Sequence, residues 1–244
     1  MSIEIQFTKE NLNTYLSELA KEYKKRSGGM PAEIVLIGGA SVLVNYGFRD
    51  MTYDIDATYR APSVMKEAIN AVEDKFNLQT GWLNNDFEKT SSYTDKLYEV
   101  SEYYRTFSNV LQVRTVKAEY LVAMKLVSGR QYKKDLSDII GILREQRNIG
   151  KPLDYEMIDR AVIKMYGSWD RVSDFSKEFL IKALETDNLE QLYKTIFDEE
   201  NEARDAVVEF DEKYPKKLNG DNINDIIAAA KAKKKRNNRE GNSI

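Results

Sequence analysis

The stretch that most constrains this chain runs from Ile34 to Arg60, IVLIGGASVLVNYGFRDMTYDIDATYR. Ile34 to Ile37 reads as a buried apolar strand. Gly38-Gly39-Ala40-Ser41 then opens a helix carrying Val42, Leu43 and Tyr46, Gly47 closes that helix, and a second strand bears Asp54-Ile55-Asp56. Two glycines at a strand-to-helix junction let the backbone come close to a phosphate, and the first free N–H groups of the helix point at it. On the second strand the period of two puts Asp54 and Asp56 on one face while Ile55 packs inward. Paired hard oxygen ligands, with no histidine or cysteine in the chain, favour Mg²⁺ or Mn²⁺ over zinc.

Aspartate is common enough here that a D-x-D alone arises by chance about once per chain of this composition. Its placement gives it weight: a phosphate-cradling turn, one short helix and a metal-binding strand bring triphosphate and metal together.

These residues resemble a known family. Gly38-Gly39-Ala40-Ser41, a spacer of twelve residues and Asp54-x-Asp56 are similar to the signature of the DNA polymerase β-type nucleotidyltransferases. Arg49-x-x-Thr52-x-Asp54-Ile55-Asp56 is most similar to the bacterial branch that includes the AbiEii-type toxin nucleotidyltransferases. The segment LVAMKLVSGRQYKKDLSDIIGIL, Leu121 to Leu143, resembles that branch's lysine helix followed by a D-x-x-D helix. The resemblance implies an α+β fold, with a mixed sheet and flanking helices as the nucleotidyltransferase core. It implies catalytic roles for Asp54, Asp56, Lys125 and Asp138, with Asp54 and Asp56 holding Mg²⁺ or Mn²⁺. It further implies nucleotide contacts from Gly38, Gly39, Ser41, Arg49, Thr52, Lys125 and Asp135. The reaction would transfer a nucleoside monophosphate from an NTP to a hydroxyl of RNA, tRNA included, or of protein. A role in a toxin-antitoxin or phage-defence system, with a cognate antitoxin as partner, follows from the same likeness.

Two of these segments have plainer readings. Lys125, embedded in YLVAMKLV, either snorkels at the edge of the core or points into a cleft as a phosphate contact. Asp135 and Asp138, at i and i+3, share a helix face, either as N-terminal acids complementing the helix dipole or as groups supporting the site or acting as its base.

The superfamily pattern also has a gap here. Many polymerase β-type enzymes carry a third carboxylate on a later strand. Tyr104 to Val116, read as one strand extending the sheet, contains no acid. Asn109, Gln112 or another neutral group would stand in its place, with Glu99 or Glu102 as substitutes. The alternative function is therefore a catalytically silent nucleotide-binding regulator or a partner-binding module. Absence of histidine narrows any general base to a carboxylate, lysine, tyrosine or metal-bound water.

Elsewhere Thr8 is placed to cap a helix with Leu12, Leu16, Leu19 and Tyr23 at helical spacing, stopped by Gly28 and Gly29. Pro62 and Ser63 start another, through Phe76. Leu78 to Glu102 reads as loops and short irregular pieces near the site mouth. After Pro152 the pattern is helical throughout, at Tyr155–Met165, Ser176–Glu185, Leu189–Phe197 and Ala203–Glu212. These predict a C-terminal helical bundle walling a cleft. The expected organisation is a nucleotidyltransferase domain over 1–148, a helical domain over 149–230 and a basic tail over 231–244. That tail, with KAKKKRNNR, is either an RNA-phosphate contact or a solvated end. No run approaches a membrane span and no signal-like segment opens the chain, so a cytoplasmic location is expected.

Overall fold

The computed structural model describes residues 5–60, 62–219, 222–230 and 232. The basic tail therefore lies almost wholly outside the described residues. The element order is α1 (Lys9–Ser27), β1 (Ala32–Leu36), α2 (Gly38–Asn45), β2 (Ile55–Tyr59), α3 (Pro62–Phe76), β3 (Leu83–Asn84), β4 (Ser101–Phe107) and β5 (Leu111–Val116). Helices follow: α4 (Ala118–Ser128), α5 (Asp135–Asn148), α6 (Tyr155–Tyr166), α7 (Asp174–Glu185) and α8 (Leu189–Lys213). This is an α+β fold, a mixed sheet with flanking helices followed by helices alone.

The sheet order is β3-β2-β1-β5-β4. β1 runs antiparallel to β2 and parallel to β5, which closes an antiparallel pair with β4. Alternation along the strands gives the sheet two faces. Ile34, Leu36, Ile55, Ala57, Leu111 and Val113 turn toward α1 and α3, whose Leu12, Leu16, Leu19, Met65 and Val72 complete one core. Val35, Ile37 and Val116 turn the other way, into a second core that runs through α4 and α5 into α6, α7 and the start of α8. Burying these side chains is worth roughly 25 cal/mol per Å² of apolar surface, which makes both layers obligatory.

Local chemistry explains the boundaries of α1. Thr8 and Asn11 form a reciprocal capping box, and Gly28 adopts φ 64° to end the helix. Three sequence expectations change. α2 ends at Asn45, two residues before Gly47. Tyr104 to Val116 is part of a hairpin, because Ser108 and Asn109 both take positive φ, 50° and 56°, and reverse the chain. The two segments Leu189–Phe197 and Ala203–Glu212 belong to one helix of 25 residues, α8, since nothing in DEENEAR breaks helical geometry.

Among the described residues no helix is long and apolar enough to cross a membrane.

Candidate active site

The turn between β1 and α2 needs both glycines, for different reasons. Gly38 has φ 53°, which a side chain would strain. At Gly39 a Cβ would lie 2.8 Å from both Arg49 Nη2 and Thr52 Oγ1, so the missing side chain is what lets those two residues close over the turn. The helix has no side-chain N-cap, since position 37 is isoleucine, and its first N–H groups are not taken by a capping side chain. Ile37 N donates to Asp56 O at 2.9 Å, locking β2 to the turn. A Cβ on Gly38 would lie 3.6 Å from Asp56 Oδ2, which places that carboxylate against the glycines.

Ser41 does not join this cradle. It is fully buried, its hydroxyl accepts a hydrogen bond from Val116 N at 3.1 Å, and its own N–H donates to Ile37 O. The side chain ties α2 to β5 behind the turn, and the phosphate-contact expectation for it is corrected accordingly.

Asp54 is exposed just before β2 and Asp56 is half-buried within it, while Ile55 between them is fully buried. Thr52 Oγ1 donates to Asp54 O and lies 3.4 Å from Asp54 Oδ1; the Thr52 backbone is held by a two-way bridge to Phe7. Burial, and next the neighbouring Asp54 charge, push Asp56 up to about 6, against the pull of Arg130 and Lys125. A hard divalent cation bound between these carboxylates would relieve that repulsion, so the donor set fits Mg²⁺ or Mn²⁺.

Register decides the question of a third strand acid. Leu36 stands opposite Thr115, so Val116 follows at the level of the turn, while Gln112 pairs with Glu33 at the far end and donates to its carboxylate. Asn109 is in the hairpin turn. Neither neutral residue proposed for the third position is beside Asp56. Glu99 and Glu102 are exposed, and among the described residues no three acids gather into a metal-binding cluster.

Above the dyad stands a compact charge network. Lys125 Nζ lies 2.8 Å from Asp135 Oδ1 and 2.8 Å from Asp138 Oδ2. Arg49 Nη1 lies 2.6 Å from Asp138 Oδ2, and Arg130 reaches Asp135 Oδ2 through Nε at 2.9 Å and its backbone N–H at 3.2 Å. Burial opposes the charge on Asp135, but Lys125 and Arg130 outweigh it and hold the carboxyl well below the usual range. Burial likewise opposes the charge on Lys125, which Asp135 and Asp138 overcome, raising its pKa. Three cations share two carboxylates, which leaves one positive charge over an acidic dyad. Such an excess of positive charge suits an anionic ligand.

Lys125 is buried and held between Asp135 and Asp138 rather than snorkelling to solvent, and each of those aspartates holds more than one cation. Asp138 is engaged by two of them, Arg49 and Lys125. Arg130 was not among the sequence candidates. Its signal was there: a basic residue just after Gly129, whose φ of 53° ends α4, must project from the loop between the lysine helix and the D-x-x-D helix. Phe48 was also missed. A Cβ on Gly141 of α5 would fall on its ring, so the glycine opens the notch that anchors the loop carrying Arg49.

No curated protein and no solved structure matches the chain. A family model does match, over residues 10–164, a span that includes the glycine turn, the dyad and the whole charge network. The chain belongs to that family, described as nucleotidyltransferase of unknown function (DUF6036).

Proposed function

We propose that this protein is a metal-dependent nucleotidyltransferase that moves a nucleoside monophosphate from an NTP to a hydroxyl of RNA or protein. The observation carrying this reading is that Asp56 and Arg49 lie against the Gly38-Gly39 turn, with Asp54, Lys125 and Arg130 close enough to act on the Asp56 charge. The acceptor oxygen would form a bond to the α-phosphorus as the bond to pyrophosphate breaks, with the hydroxyl proton released to water. Asp54 and Asp56 would hold the divalent ion, which supplies charge neutralisation at the triphosphate. The chain's own part is positional: the turn offers backbone N–H groups, and Arg49, Lys125 and Arg130 bear on the phosphate oxygens from a fixed frame.

The finer assignment, to an AbiEii-type toxin acting on RNA or protein with a cognate antitoxin as partner, rests on Arg49-x-x-Thr52-x-Asp54-Ile55-Asp56 and the Lys125 to Asp138 segment. Cytoplasmic location goes with that role. A rival reading, a silent nucleotide-binding regulator, draws on the β5 register, which puts Val116 where a third acid would stand.

Each of four α-labelled NTPs, offered with Mg²⁺ or Mn²⁺ to total bacterial RNA and protein, tests both. Labelling that disappears in Asp54→Ala/Asp56→Ala protein supports the transferase and names nucleotide and acceptor class. Nucleotide binding without label transfer supports the regulator.

A further inference from the structure

α8 begins at Leu189, beyond the segment matched by the family, yet it reaches the site at three points. Glu200, only 2% exposed, accepts from Leu136 N at 2.8 Å and from Ser137 N at 3.3 Å, and its carboxylate also takes the Ser137 hydroxyl. Lys134, the residue before α5, donates to Asn201 Oδ1 at 2.6 Å and stands 3.3 Å from the centre of the Phe197 ring. Tyr193 donates to Phe48 O at 3.2 Å, next to Arg49.

We infer that Glu200 is a positioning residue: by capping the first turn of α5 it fixes Asp135 and Asp138, and through them the cations Lys125, Arg49 and Arg130. α5 has no side-chain cap of its own at Lys134, so its first N–H groups depend on a partner from elsewhere. A carboxylate 64 residues later in the chain supplies it. The arrangement is costly, since burial and then the charges of Asp138 and Asp135 oppose ionisation of Glu200. A serine or asparagine at position 134 would satisfy the same groups locally. It would not tie the turn that holds the cations to a second helix. The functional unit therefore extends past residue 164.

The inference rests on the transferase reading only for its binding arm. Full-length wild type, Glu200→Ala, Glu200→Gln and Glu200→Asp would be compared, with Glu190→Gln as a control that removes the exposed α8 pairing to Arg144. The first readout is the NMR signal of the Arg49 and Arg130 Nε–H groups in metal-free protein. The second is affinity for inorganic tripolyphosphate with Mg²⁺.

Glu200→Ala is expected to broaden or shift both arginine signals and to weaken tripolyphosphate binding about tenfold. Glu200→Gln, which keeps the reach to Leu136 N, retains most of both, and Glu190→Gln retains all. If Glu200→Ala yields no folded protein, Glu200→Asp decides, because it keeps the carboxyl group but is one methylene short and should lose both readouts. Unchanged arginine signals in Ala and Asp overturn the inference, as does an equal loss in Glu190→Gln. Wild type that ignores tripolyphosphate sinks the transferase reading instead, and the arginine signals still decide the role of Glu200.

Discussion

Arg49 and Asp138, 89 residues apart in the chain, meet at 2.6 Å. The pair joins the loop after α2 to the first turn of α5. Lys125, from a third segment, shares the same carboxylate oxygen. A buried carboxylate with two cationic partners tolerates the loss of either poorly, and Lys125 also serves Asp135.

Lys125→Met should therefore cost about 3–5 kcal/mol of stability, because it leaves two buried carboxylates short of positive charge. Urea denaturation measures it. Adding Asp135→Asn should recover part of the loss, since the second change removes one of the stranded charges; two independent, additive penalties would contradict the shared-ion reading.

Asp56→Asn should act in the opposite direction on the metal-free protein. Asp56 is raised from 3.8 to about 6, so its contribution to stability is complete below pH ~4 and is lost as pH rises through about 6. At pH 7 the neutral amide should be more stable than wild type by about 1–2 kcal/mol. The same variant should lose any rise in melting temperature on adding Mg²⁺, and thermal scans with and without the ion test both parts.

Glu200 sets a second pH window. It is raised from 4.5 to about 8, chiefly by burial, with the Asp138 and Asp135 charges adding to the rise and the Ser137 hydroxyl and Leu136 N–H opposing it. Its stabilising contribution is full below pH ~4.5 and disappears as pH climbs through about 8. Wild-type stability should fall across that window with a component of up to ~1.4 kcal/mol per pH unit. That component should be missing from Glu200→Gln in a series of denaturant melts.

Gly141→Ala should be far more damaging than an alanine in mid-helix, where propensity alone predicts a gain. The added methyl meets the Phe48 ring, and overpacking of this kind costs about 1–3 kcal/mol. The ring's displacement would drag Arg49 with it. Equilibrium unfolding gives the cost, and loss of the Arg49 to Asp138 pair would show as a changed Arg49 Nε–H signal.

Ser41→Ala should cost about 1 kcal/mol through the hydrogen bond to Val116 N, leaving a buried N–H unpaired. Nucleotide affinity should stay at the wild-type value. A large loss of affinity at wild-type stability would restore Ser41 to the phosphate cradle.

The parts of this molecule that the sequence determined alone are those fixed within a few residues. The apolar run before Gly38 makes a strand, and the glycines make the turn. Adjacency in the chain keeps Asp54 near Asp56, although only Asp56 lies within β2, and helical spacing puts Asp135 and Asp138 in the first turn of α5. Thr8 starts α1 because its cap partner, Asn11, is three residues away. Tertiary structure decided whatever depends on which distant segments meet. The register of β5 against β1 set Val116 beside the turn and sent Gln112 to the far end. Packing drew the hydroxyl of Ser41 to β5, and the long α8 brought Glu200 to α5. Burial then shifted Asp56 and Glu200 upward while pairing held Asp135 down, because desolvation and ion pairing act through three-dimensional neighbours and leave no local pattern in the chain.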